Sequence, residues 1–355
     1  DVQCFDFEEG RIRPLTAEAE CAFVHEYWHY LQNISTPMGL FTYVLDHTLL
    51  SLFSETLLPH ADGTSVGSGG FEEEMRVRLE ATSRFIKAIE GSTIHHGYEH
   101  DEPSGIEVTA VRSDAAPVNS PEGTMKVRPV DLTANLLLGS GARIPYNLRL
   151  GTYIIEEGAA YEMERSFPGS ANITPPVVPY QVLHALGRHL CGREPNRIEL
   201  VSLATLSLMT WNPGRTLVNL LERLPKRHSV LRIDDLNAGF TELVRPDLQK
   251  ILRDLPLRLN ALTAITRGRG PLELASQRVF ERFSTLVSRR AKDPLFDVRA
   301  IFDSDTPPLG FNALLTDVPT CDIVLKPAMS NGQPGEAKIA SFDLSDDRED
   351  SHALR

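Results

Sequence analysis

The reading of this chain turns on residues 16–35, TAEAECAFVHEYWHYLQNIS. Thr16 is a good N-cap, Glu18 and Glu20 place negative charge in the first turn, and apolar residues recur through Ala22, Phe23, Tyr30 and Leu31. That spacing predicts a helix over 16–34, ended by Ser35-Thr36-Pro37. Inside it stands His25-Glu26-Tyr27-Trp28-His29. Residues four apart share a helix face, so both imidazoles can reach one metal ion, and Glu26 lies beside them within reach of a water on that ion. Without a metal, the expected burial of Glu26 would be costly and without purpose. Tyr27 and Trp28 read as core packing around this helix.

Outward from this helix, Leu40 to Leu58 has the length and apolarity of a core helix, and PHADGTSVGSGG at 59–70 reads as a flexible connection. Helical spacing resumes over 71–90 through Met75, Leu79, Phe85, Ile86 and Ile89. Gly105–Ser113 and Thr124–Val130 alternate apolar with polar residues and predict a two-stranded hairpin. A helix pattern returns from Leu148 to Phe167, and most of Tyr180–Arg290 is Leu-rich with helical spacing. After Asp293 the chain is rich in Pro and Asp, and its ending DLSDDREDSHALR reads as a solvated acidic tail. The expected fold class is α+β, predominantly α, with one small β hairpin and a helical C-terminal half.

Composition narrows the function classes. The 355 residues carry 36 Lys+Arg against 48 Asp+Glu, a net charge of −12, which disfavours nucleic acid and anionic membrane surfaces as partners. Cys4, Cys21, Cys191 and Cys321 form no CxxC pair and are too few for a disulfide framework, so a reducing, cytoplasmic setting is expected. No apolar run approaches the roughly 20 residues of a membrane span, and the N-terminus lacks a signal pattern. The start at Asp1 is compatible with an upstream leader having been removed. Gly67-Ser68-Gly69-Gly70 lacks the Lys-Ser/Thr of a phosphate loop, so no nucleotide is assigned. His95, His96 and His100, the run Pro225-Lys226-Arg227-His228 and the turn Arg267-Gly268-Arg269 read as solvated loops, and His184 and His189 as residues on different helix faces.

Two histidines do not complete a catalytic zinc site, which takes three protein ligands and keeps a fourth position for water. The residues after His29 lack the Gly-containing spacing that would supply a third histidine. LGTYIIEEGAAYEMER at 150–165 offers carboxylates instead, Glu156 and Glu157, followed by Gly158-Ala159-Ala160, small enough to let this helix approach the first closely. HEYWH followed by a helix bearing EGAAY resembles the gluzincin metallopeptidases, in which a Glu-Gly-x-Ala-type segment donates the third ligand. The resemblance covers two short segments and aligns Glu157 with that ligand, with Glu156 as runner-up. The interval from His29 to Glu157 is far longer than in compact members of that family. The resemblance implies a zincin-like core in residues 1–170, holding the inserted loop and hairpin. A helical part over 171–292 and a C-terminal segment over 293–355 would follow it.

On that resemblance His25, His29 and Glu157 bind Zn²⁺ and Glu26 is the general base of a metallohydrolase acting on a peptide or protein substrate. Tyr146, Tyr161, Tyr180 and His184 are the candidates in kind for stabilising the transition state. Tyr161, four residues after Glu157, is also placed to orient a ligand histidine. Two other readings use the same residues. One is a non-haem Fe²⁺ oxygenase or peptide-modifying hydroxylase on the His/His/Glu set. The other is a non-catalytic, metal-stabilised interaction protein, against which Glu26 speaks, because a structural site needs no general base.

Overall fold

The structure is a computed structural model that describes residues 3–6, 11–14, 16–45, 71–92, 103–113, 116–120, 126–172, 174–226, 231–266, 271–318, 323–325 and 338–340. Strands β1 (Gln3–Asp6) and β2 (Arg11–Pro14) pair antiparallel ahead of helix α1 (Ala17–Ser35). Thr16 caps α1 by accepting a hydrogen bond from the Ala19 amide at 3.2 Å. Thr36 closes it with its own amide on the Gln32 carbonyl. The Thr36 hydroxyl then accepts from the Gly39 amide, so one residue ends α1 and opens the next helix, α2, at 37–45. Pro37 fits there because the first helical position needs no donor. The expected helix over Leu40–Leu58 is therefore seen in its first part, and the 59–70 connection lies outside the described residues.

Helix α3 (Phe71–Glu90) is followed by the main sheet, and here the expectation needs correction. Strand β3 (Pro103–Arg112) does not pair with the 124–130 segment. A minor ladder of β4 (Val118–Asn119) and β5 (Lys126–Val127) intervenes, and β3 pairs with β6 (Val130–Leu138), which pairs with β7 (Arg143–Leu150), giving an antiparallel sheet of order β3-β6-β7. Val130, Leu132, Ala134 and Leu136 alternate inward along β6. Gly139-Ser140-Gly141, with Gly141 at φ +84°, makes the turn to β7. The 148–150 stretch expected to begin a helix is the end of β7.

Helix α4 (Thr152–Glu164) starts at Gly151, where a side chain would run into the backbone of Glu90 and Gly91, so only glycine lets the end of α3 meet this junction. A 3-10 turn (Pro168–Asn172) brings Gly169 against Ala17 at the start of α1. Helices α5 (Val177–Tyr180), α6 (Val182–Cys191), α7 (Arg197–Ser207) and α8 (Pro213–Glu222) then surround α4. Asn196 and Glu199 form a reciprocal capping box at α7, and Glu199 also receives Arg193 at 2.7 and 2.8 Å in a buried ion pair. The small Gly158 faces α6, not α1: a side chain there would overlap Leu183.

The long helices α9 (Ile233–Thr266) and α10 (Pro271–Lys292) precede α11 (Phe296–Phe302) and α12 (Pro307–Asp317). The last short strands are β8 (Ile323–Leu325) and β9 (Lys338–Ala340). The Pro/Asp-rich stretch after Asp293 is thus helical core up to residue 317, and the acidic ending lies outside the described residues. Phe311 of α12 meets Phe23 and Tyr27 of α1 edge-on, at 6.1 and 5.2 Å. The Tyr27 hydroxyl donates to the Val318 carbonyl. The fold is mainly helical with small antiparallel sheets. No helix among the described residues is long and apolar enough to cross a membrane.

One buried charge pair ties the last helices to the site helix. Arg290 of α10 and Asp297 of α11 are both fully buried and paired bidentately. Arg290 also donates to Ser35 at the end of α1 at 2.8 and 3.0 Å and to the Pro294 carbonyl at 2.8 Å. Asp297→Ala would leave a guanidinium desolvated and unpaired, and urea unfolding should show a loss of about 3–5 kcal/mol. Replacing both partners together with leucine should cost less than that single change.

Candidate metal centre

α1 and α4 lie against each other along their site faces. The helical period puts His25 and His29 on one stripe of α1, and Glu157, Tyr161 and Glu164 on one stripe of α4. Packed together, the two stripes converge three ligand atoms. His25 Nε2 lies 3.1 Å from His29 Nε2 and 3.3 Å from Glu157 Oε2, and His29 Nε2 lies 3.5 Å from the same oxygen. Among the described residues this is the one group of three His, Cys, Asp or Glu side chains that could hold a metal ion.

Those separations test the donor set. Bonds of about 2.0–2.1 Å in a tetrahedral site put ligand atoms roughly 3.3–3.4 Å apart, and the three distances bracket that value. The set therefore fits a zinc ion. It also matches the two-His, one-carboxylate face that suits Fe²⁺, so the residues alone do not choose the metal.

Glu164 is the residue that the sequence reading missed. Its Oε2 accepts from His25 Nδ1 at 3.1 Å, which fixes the ring so that Nε2 faces His29 and Glu157. The signal was present in the spacing, since Glu164 stands seven residues after Glu157 and so returns to the same helix face. Burial opposes protonation of His25, but the hydrogen bonds and charges of Glu157 and Glu164 outweigh it and hold the pKa at about 9. Burial likewise raises Glu157, and the two histidines outweigh it, bringing the carboxyl down to about 2.

Glu156 points elsewhere. Burial, the charge of Glu157 and the charge of Glu90 on α3 push it up to about 8, and it takes no part in the cluster. Glu26 corrects an expectation: it is exposed on α1, not buried, one position from His25. Solvent therefore reaches it directly.

Of the four candidates for transition-state stabilisation, Tyr180 stands nearest. Its ring meets His25 edge-on at 5.8 Å, and burial and the negative charge of Glu157 raise the phenol above its ordinary value. Tyr161 lies one ring further out, 5.5 Å from Tyr180. His184 is engaged with Glu162 at 2.6 Å, and His189 is exposed on the other face of α6. Tyr146 sits in β7 opposite Ala134. His95, His96 and His100 lie outside the described residues, as do Arg227, His228 and the 267–270 turn.

Comparison of the chain with protein-family models, with curated proteins and with solved structures returned no match.

Two outcomes follow for metal binding. Because a metal must displace the proton that His25 holds up to about 9, zinc affinity measured by competition with a chelating dye should rise about tenfold per pH unit from 6.5 to about 9 and level off above. Glu164→Gln should weaken zinc binding by about 10- to 100-fold, with the helical circular dichroism unchanged.

Proposed function

We propose that this protein is a zinc-dependent hydrolase that cleaves a peptide bond, with Glu26 as its general base. The observation that carries the reading is the triangle of ligand atoms from His25, His29 and Glu157, with an exposed glutamate adjoining the first of them. A purely structural metal would need four closed ligands, whereas three leave a position for reacting groups. Zinc held by His25, His29 and Glu157 would supply Lewis acidity and a water activated near neutral pH.

The remaining steps belong to the chain's own side chains. Glu26 accepts a proton from the water whose oxygen attacks the scissile carbonyl carbon, and delivers it to the amine nitrogen as the C–N bond breaks. Tyr180 keeps its proton at neutral pH because burial and Glu157 disfavour the phenolate. Its O–H can therefore donate to the oxygen on which negative charge develops. Glu164 keeps the His25 ring from turning. The resemblance of HEYWH and EGAAY to gluzincins supports the peptide as substrate class.

Elemental analysis of protein purified without added metal is expected to find about one zinc per chain, absent from His25→Ala. Cleavage of a peptide library read by mass spectrometry should fall by about 10²–10⁴-fold in Glu26→Gln while zinc stays bound. Tyr180→Phe should lower kcat by about 10²-fold or more with KM little changed. Iron in place of zinc, with turnover that needs dioxygen and a reductant, would overturn the hydrolase reading. A Glu26→Gln protein with full activity would remove the proposed base.

A further inference from the structure

The candidate metal centre continues along α4 toward two arginines. Tyr180, which touches His25, packs on Tyr161 at 5.5 Å, and the guanidinium carbon of Arg165 lies 5.5 Å from the Tyr161 ring centre. Glu157, Tyr161 and Arg165 are spaced four apart, so one helix face carries ligand, ring and cation in succession. Arg197, at the start of α7, approaches the same place from the other side. Burial raises the Tyr161 phenol and both guanidiniums act to lower it, so both lie within electrostatic reach of its hydroxyl.

These two cations share one carboxylate. Glu162, 1% exposed, stands 3.6 Å from Arg165 and 3.5 Å from Arg197, while its short hydrogen bond, 2.6 Å, goes to His184. His184 is flanked on its other nitrogen by Glu194 at 3.5 Å. Both arginine contacts with Glu162 are ion pairs without a hydrogen bond among the described residues, and Arg197 Nε is buried with no hydrogen-bond partner there. Arg197 otherwise reaches Ser166 at 3.4 Å, a weak contact. An Arg offers five N–H donors in a planar fork that matches a carboxylate. Most of that capacity is unspent, and the side chains remain 43% and 34% exposed. Among the described residues, two guanidiniums that share one carboxylate and keep donors to spare stand beside the candidate metal centre.

We infer that Arg165 and Arg197 form a subsite for a carboxylate of the substrate, with Tyr161 and Tyr180 lining the way from it to the metal ligands. The inference rests on the hydrolase reading and specifies its substrate class as peptides bearing an anionic group near the scissile bond. That carboxylate is either a free C-terminus or an Asp or Glu side chain.

Binding separates this proposal from catalysis. A peptide that wild-type protein cleaves, or a library-derived hexapeptide if none is cleaved, is prepared with a C-terminal acid or amide and with Glu or Gln at each position. Its Kd for the zinc-loaded Glu26→Gln protein is measured by calorimetry. A carboxylate form is expected to bind about 10- to 100-fold more tightly than its neutral counterpart, because charge-assisted hydrogen bonds are gained. The acid-versus-amide arm identifies a C-terminal carboxylate, and the Glu-versus-Gln arm a side chain. Arg165→Gln should abolish the preference while leaving the affinity of the neutral peptide unchanged. Arg165→Lys should restore part of the preference, which a merely structural role would not predict. In active protein Arg165→Gln should act mainly on KM for the acidic peptide rather than on kcat. Equal affinity for charged and neutral forms in every pair, with zinc bound and cleavage intact, would overturn the subsite and leave the hydrolase standing. A carboxylate preference that Arg165→Gln removes, in a protein that cleaves no peptide, would support the subsite and defeat the hydrolase reading.

Discussion

The constraint on which the site depends is the packing of α1 on α4 with two imidazoles and two carboxylates at the seam. Carboxylates are stable in so enclosed a place only when a cation or a set of hydrogen bonds replaces the water they give up. Here Glu157 and Glu164 each take hold of His25, one at each nitrogen, and Glu157 also meets His29. The hydrogen bonds and charges of the two glutamates favour the protonated form of His25, and the three ligand atoms are spaced as a divalent cation requires.

The remainder of the chain holds that seam in place. α1 is gripped at its middle by Phe311 and at its end by Arg290, which reaches Ser35 from a fully buried pair with Asp297. α4 is gripped by Leu183 of α6, which occupies the space that glycine leaves at position 158, and by the meeting of Gly151 with the end of α3. The sheet enters the design through β7, which delivers the chain to Gly151 and so sets where α4 begins, and through β3, which packs on α5 and α6. Residues far apart in sequence, at the end of α3 and at α10 to α12, therefore fix the position of ligands supplied by two short segments.

The helical half of this architecture was legible because its signals are local. Thr16 as N-cap, Thr36-Pro37 as a stop and the His-Glu-x-x-His period all act within a turn or two of helix. The sheet was harder to read. β6 alternates through Val130, Leu132, Ala134 and Leu136, but it ends in Leu136-Leu137-Leu138, and such a run does not separate strand from helix. The pairing of β3 with β6 in place of the nearer segment is a long-range choice with no local mark. The same limit explains the Glu26 error. Helix periodicity gives a residue's direction relative to its neighbours, but only the partner elements decide which directions are covered. Gly158 was assigned to the wrong contact for that reason. α12 was hidden by composition, since Pro307 and Pro308 open a helix whose buried face is carried by Gly310, Phe311, Leu314 and Leu315.

The four glutamates of α4 show how position separates chemically identical groups. Glu157 and Glu164 face α1 and its histidines, and the two imidazoles bring Glu157 down to about 2. Glu162 faces His184 of α6 and Arg197 of α7, with Arg165 at the end of its own helix close by. Burial and the charges of Glu157 and of Glu90 on α3 push Glu156 up to about 8, so that it holds its proton at neutral pH. Its neighbour one residue on is ionised over the same range, although the two differ by only about 100° around the helix axis. Of the two adjacent glutamates, Glu157 is the one whose carboxylate oxygen joins the two imidazoles in the group that could hold a metal ion. The choice between them thus lies with the partner across the seam and not in the α4 sequence.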